Sequence, residues 1–257
     1  MKITVLAENT SECGLRAEHG LSLFVETNGI KFLFDSGQTT LFFENAVRLG
    51  IDISRADMMI LSHGHYDHGG GIKAFLAENK KAPVYMSRYA FGEYYNGTEK
   101  YIGLDPLLRN EKRIKLTDGR TPLGSGMTLY SCDDMKKRID TGLSGLNRLE
   151  NGIFLPDDFR HEHYLVVEEN GKRILFSGCS HRGVNNIVSY FSPDVLIGGF
   201  HFSHFPCADR LCSLANDLDG FSTEYYTCHC TGYEQYQFMS RYMRSLHYIS
   251  TGQSIEL

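Results

Sequence analysis

Apolar positions along the chain fall into short β-rich runs and helix-spaced segments, and the two kinds follow one another in an order that occurs twice. Leu21 to Val25 and Ile30 to Phe34 are apolar runs on either side of Thr27, Asn28 and Gly29. Asn-Gly between such runs is the strongest short-range hairpin signal, because both central residues of the tight turn need positive φ. Tyr164 to Val167 and Arg173 to Phe176 flank Asn170 and Gly171 in the same way, and VETNGIKFLFDSG from Val25 aligns without a gap with VEENGKRILFSGC from Val167. Each hairpin precedes a helix-like segment, Thr39 to Leu49 closed by Gly50 and Val184 to Phe191, then an apolar strand, Met58 to Leu61 and Val195 to Ile197. A unit repeated at wide separation predicts two pseudo-equivalent halves; the competing reading is that all tight hairpins look alike. Two such halves bury their sheets against each other and cover the outer faces with helices, which predicts an α/β (α+β) fold, a four-layer αββα sandwich.

Composition changes this picture little. The 257 residues are 42% hydrophobic and 22% charged, ordinary for a chain that folds throughout. No stretch rich in Pro, Gly or Ser marks a linker, so one domain over 1–257 is expected. A less regular insertion at about 85–151 carries Tyr85, Tyr89, Tyr94, Tyr95 and Tyr101, an aromatic wall for a substrate pocket or simply a packed segment. A net charge of -5 gives no basic footprint, which argues against nucleic-acid partners. No run approaches the roughly 20 apolar residues of a membrane span, and Met1 to Ala7 reads as a strand rather than a signal segment, so a cytoplasmic protein is expected. Seven irregularly spaced cysteines, an odd number, fit a reducing compartment. Oligomeric state is not encoded in any pattern here.

Chemistry is concentrated after the strand Met58 to Leu61, in Ser62, His63, Gly64, His65, Tyr66, Asp67, His68 and three glycines. Three imidazoles and a carboxylate within six residues are costly to bury unless a cation neutralises and binds them. This donor set suits zinc first, with iron or manganese compatible. In a loop leaving a strand, His63 and His65 can face one ion while Asp67 and His68 face a second.

This H-x-H-x-D-H segment, its preceding strand and the Asp35-Ser36-Gly37 end of the first hairpin resemble the metallo-β-lactamase superfamily. Within it, AEHGLSL from Ala17, SHGHYDHGGG from Ser62, KYIG from Lys100, PDDF from Pro156, SGCSH from Ser177, GGFHF from Gly198 and CHCTG from Cys228 resemble the branch containing a dihydropterin ribofuranosyl-aminobenzene phosphate synthase. The resemblance implies that His63, His65, Asp67, His68, His181 and His229 are metal ligands, His229 matching the superfamily's last ligand histidine. Cys179 stands where the superfamily commonly places a bridging aspartate or a cysteine, and Asp35, Cys179 and His19 are candidate ligands or partners of ligands. His201, after Gly198 and Gly199, is placed to reach metal or substrate as a catalytic residue. His161, His163, His204 and His247 read as structural or peripheral. Strand alternation turns Cys228 and Cys230 away from His229, toward core or pocket wall.

These readings predict two divalent metal ions and a hydrolase in which a metal-held hydroxide, oriented by Asp67, attacks an ester, lactone or phosphoester of a small, anionic metabolite. Asp35 is expected to hold a ligand histidine in one tautomer. The resemblance implies an alternative, a dihydropterin-type transferase releasing pyrophosphate. A non-catalytic metal-binding or sensing protein is a further reading.

Overall fold

A computed structural model describes residues 1–12, 14–131, 135 and 145–257. Cys13, Cys132 and part of the 85–151 stretch lie outside the described residues. The first part of the chain forms β1 (Lys2–Ala7), β2 (Ser22–Thr27), β3 (Ile30–Phe34), α1 (Leu41–Arg48), β4 (Met58–Ile60), a single turn α2 (Tyr66–Gly69), α3 (Ile72–Glu78) and β5 (Val84–Ser87). Then come β6 (Glu93–Asn96), β7 (Lys100–Tyr101), β8 (Ile114–Thr117), β9 (Arg120–Gly124), β10 (Met127–Tyr130), β11 (Leu146–Glu150) and β12 (Ile153–Pro156). The last part supplies β13 (Tyr164–Glu169), β14 (Lys172–Phe176), α4 (Val184–Phe191), β15 (Val195–Gly198), α5 (Asp209–Asp219), β16 (Glu224–Thr227), α6 (Tyr233–Met239), β17 (Leu246–Tyr248) and β18 (Ser254–Glu256).

Both Asn-Gly hairpins form. Asn28 and Gly29 have φ of 49° and 77°, Asn170 and Gly171 have 52° and 76°, the double left-handed turn their sequence requires. The hairpins lie in different sheets, at corresponding places. One sheet runs β18-β1-β2-β3-β4-β5-β8 and the other β9-β10-β13-β14-β15-β16-β17. In each, the first three pairings are antiparallel and the last three parallel.

Strand alternation divides the core into layers. Phe32, Phe34 and Ile60 meet Ile174, Phe176 and Ile197 between the sheets, where Phe176 stands 5.5 Å from Phe34 and 5.8 Å from Phe32 by ring centroid. The alternate residues Leu33 and Met59 face α1 and α3, packing on Phe42, Ile72 and Phe75. Val166, Leu175 and Leu196 likewise face α4, α5 and α6. The result is helix, sheet, sheet, helix, the layered sandwich of the sequence reading.

The 85–151 stretch departs from expectation. Its described residues are more regular than expected: they supply most of β5 and all of β8 to one sheet and β9 and β10 to the other, while β6, β7 and β11 join β12 in a separate sheet ordered β12-β11-β6-β7. Its strands are hard to recognise in sequence because β8 and β9 are short, charged edge strands, and β9 contains Pro122, which an edge tolerates. Its tyrosines pack among themselves and on the main body: Tyr95 meets Tyr101 and Phe154, and Tyr94 is buried.

Candidate metal centre

The side chains singled out from sequence gather where parallel strands of both sheets end. Asp35 follows β3, His63 and His65 follow β4, Cys179 and His181 follow β14, His201 follows β15 and His229 follows β16. Four of these turns hold non-glycine residues at positive φ: Asp35 (57°), Ser180 (54°), His201 (57°) and His229 (51°). Such strain persists only where surrounding structure imposes it, and it clusters at functional sites. The two halves also approach closely here, since a Cβ on Gly178 would lie 2.2 Å from Ser62 Oγ and 3.0 Å from His63 Nδ1.

Hydrogen bonds fix which nitrogen three of the rings present. Asp35 is fully buried and accepts from the backbone N–H of Ser62 at 2.7 Å and from its hydroxyl at 2.7 Å, and stands 2.7 Å from His68 Nδ1. With its proton given to Asp35, Ser62 Oγ at 2.8 Å accepts from His63 Nδ1. Asn9 Oδ1, from the loop after β1, accepts from His229 Nδ1 at 2.7 Å. In all three rings Nε2 is left to face the centre. There His63 Nε2 and His181 Nε2 are 3.3 Å apart, close to the edge of about 3.3 Å expected for two nitrogens held 2.0 to 2.1 Å from a tetrahedral zinc. His68 Nε2 lies 3.2 Å from Cys179 Sγ, and Asp67 Oδ2 lies 3.5 Å from His229 Nε2 and 3.2 Å from His19 Nε2. Buried ring nitrogens His65 Nε2 and His229 Nε2 have no hydrogen-bond partner. Orphaned imidazole nitrogens beside a thiol and a carboxylate are what a divalent ion satisfies, so the donor set fits metal. Among the described residues, the groups that could each hold an ion are His63–Cys179–His181, His68–Cys179–His229, Cys179–His201–Cys230, His19–Asp67–His229 and His65–Asp157–His161.

Electrostatics keep three of the rings neutral and Asp67 ionised, the forms that bind metal, and concentrate proton affinity on His68. Burial, reinforced by neighbouring imidazoles, pushes His63 and His181 well below the usual histidine range and His65 down to about 3, which keeps these rings neutral. His68 behaves oppositely: burial lowers it, but the carboxylates of Asp35 and Asp67 outweigh burial and hold it up at about 9. Asp67 is driven up by burial and down more strongly by His68, His19 and His229, so it stays ionised. The cluster therefore stabilises positive charge at its centre.

A cavity of about 190 Å³ opens above these donors. His19, Asp67, His181 and His229 form its floor with Cys179 and Cys230, and Asn96, Lys100, Ile102 and Ser203 stand in its walls. The tyrosines of the 85–101 run do not line it, contrary to the aromatic-wall reading; Tyr66 does. His204, read as peripheral, also lines it.

A model of the metallo-β-lactamase superfamily matches residues 15–219. The chain belongs to that superfamily. It is 28% identical over 243 residues, covering 90% of this chain and 91% of the relative, to an uncharacterized protein of Methanocaldococcus jannaschii. It is 29% identical to the 7,8-dihydropterin-6-methyl-4-(β-D-ribofuranosyl)-aminobenzene-5'-phosphate synthase of the same organism, over all of this chain and 96% of the synthase. The crystal structure of Tm1679, described as a metal-dependent hydrolase of the β-lactamase superfamily, superposes with a TM-score of 0.86 at 29% identity, covering 100% of this chain and 99% of that one.

Within this metallo-β-lactamase sandwich, several residues that hold the site escape a reading of the sequence. Asn9, Ser62 and Glu162 carry no metal-ligand signature; Glu162, fully buried, accepts the backbone N–H of His181 at 2.8 Å. His161 has no strand-end position and so reads as peripheral, yet its Nδ1 accepts from Gly64 N–H at 2.9 Å and its Nε2 lies 3.0 Å from Asp157 Oδ2. It thereby pins the backbone between His63 and His65, and Tyr94 stacks on its ring at 3.9 Å. The PDDF segment is the available signal. Cys228 and Cys230 take the expected core and pocket-wall places, though not by strand alternation, because the chain leaves its strand for a 3-10 turn at His229–Thr231. Cys228 stays in the core between the sheets, while Cys230 reaches the cavity.

Proposed function

We propose that this chain is a binuclear metal-dependent hydrolase cleaving an ester, lactone or phosphoester of a small anionic metabolite in the cytoplasm. His63, His65 and His181 would hold one ion, Asp67, His68 and His229 the other, with Cys179 between them; zinc suits this set best, and iron or manganese is compatible. The observation that carries the reading is the pair of orphaned nitrogens, His65 Nε2 and His229 Nε2, under an open cavity of about 190 Å³. When bound, divalent ions supply Lewis acidity and bring the pKa of a water far down, toward about 7.

The chain's own groups do the rest. Asp67, ionised and beside His19 and His229, is placed to orient the attacking water and carry its proton to the leaving group. Asp35, Ser62 and Asn9 keep the ligand rings in one tautomer. Lys100 is the one permanent cation and Asp67 the one carboxylate among the described cavity-lining residues, so Lys100 would draw an anionic group to the rim.

Elemental analysis with a screen of phosphoesters and lactones tests this. We expect at least two ions per chain, hydrolysis of at least one class, and loss of turnover by Asp67→Asn. A fully metal-loaded protein that hydrolyses none of them would sink the hydrolase assignment. The second reading, a dihydropterin-type transferase releasing pyrophosphate, rests on full-length similarity to the synthase. Pyrophosphate release from a pterin substrate, without ester or lactone hydrolysis, would select it.

A further inference from the structure

Cys179 Sγ belongs to three donor groups. Two are those of the proposed binuclear centre. The third, with His201 and Cys230, holds two sulfurs and a ring nitrogen all within 4.8 Å of one another. Neither His201 nor Cys230 is needed to complete the other two groups. His201 is held at φ 57° on the turn after β15, and its buried Nδ1 has no hydrogen-bond partner. Cys230 reaches the cavity only because position 199 lacks a side chain: a Cβ on Gly199 would lie 2.3 Å from Cys230 Sγ. The contrast with Cys228 is informative, since that thiol packs among apolar side chains between the sheets, the usual place of an inert buried cysteine. Cys179, His201 and Cys230 all line the cavity instead.

From this we infer that Cys179, His201 and Cys230 form a third metal position on the cavity wall, sharing the Cys179 sulfur with the neighbouring centre. Two thiolates and an imidazole with a fourth position open to the cavity suit a thiophilic ion, zinc or cadmium among divalent metals. Binding forms two metal–sulfur bonds and one metal–nitrogen bond; the Cys230 thiol releases its proton to solvent, and Cys179 does so only where the neighbouring centre has not already bound it as thiolate. The site goes beyond the hydrolase reading and would exist even if the chain were a transferase.

The test uses the whole protein, kept reduced, titrated with Co²⁺ and followed by metal count and by the sulfur-to-cobalt charge-transfer absorption. The wild type should take a third equivalent. Cys230→Ser should lose that equivalent and about half of the absorption, one of two thiolates being gone, while retaining two ions. Should Cys230→Ser fold poorly, His201→Asn removes a donor with a residue that accepts positive φ, and should also lose the third equivalent. Saturation at two equivalents, with absorption indifferent to Cys230→Ser or His201→Asn, overturns the third position and leaves the binuclear centre standing. Absence of any bound cobalt overturns both. Loss of two titratable thiols in the untreated protein, restored by reductant and without metal, overturns it in favour of a Cys179–Cys230 disulfide.

Discussion

Asp35 does three things from one buried position at φ 57°: it binds the Ser62 N–H, the Ser62 hydroxyl and the His68 ring. Asparagine tolerates the same backbone, so Asp35→Asn should fold while presenting an amide where the ring needs an acceptor. We expect metal affinity to fall roughly 10–100-fold, measured by competition with a chelator; unchanged affinity would show that His68 does not depend on its neighbour. Asn9 offers a cleaner case because it is exposed. Removing its carbonyl from His229 Nδ1 by Asn9→Ala should leave stability within about 0.5 kcal/mol yet weaken metal binding about tenfold. These two residues lie on either side of the limit of sequence reading at this scale, Asp35 being foreseen as the partner of a ligand histidine and Asn9 not. His63, His65, Asp67 and His68 are legible because four donors crowd one turn, whereas Asn9 and Glu162 are ordinary polar residues until the fold brings them to a ligand.

Elements whose signals are local are readable. The Asn-Gly turns and α4 depend on neighbours in sequence, and the structure has them where the pattern placed them. The edge strands β8 and β9 depend on a partner strand for their identity, and their own residues say little. Glycines separate the two kinds of constraint. Gly171 has φ 76° and open space where a methyl group would stand, so Gly171→Ala should cost only the backbone penalty, about 1–2 kcal/mol. At Gly198, φ is 139° and a Cβ would lie 1.7 Å from the backbone oxygen of Ser177. There the same substitution must separate β14 from β15, and we expect a loss several times larger, with weaker metal binding. Urea denaturation of both variants checks this; equal losses would refute the distinction.

At the scale of the molecule, the two sheets are joined through Phe32, Phe34 and Phe176, and the donors of the centre come from both. Phe176→Ala should cost about 3–5 kcal/mol in urea denaturation, with metal-centre absorption lost in the same transition as the secondary structure. Separate transitions would mean that each half stands alone. The layered architecture is legible from the gapless echo of the hairpins, but the seam is not: no spacing in sequence ties His181 or His229 to His63. That seam has a consequence for how the protein is born. The H-x-H-x-D-H segment leaves the ribosome about 160 residues before His229, roughly 8 to 32 s at ordinary rates of elongation. His229 must then find Asn9, a residue made 220 residues earlier. Stalled nascent chains ending before β14 should therefore give up zinc readily to a chelator, and full-length released chains should hold it.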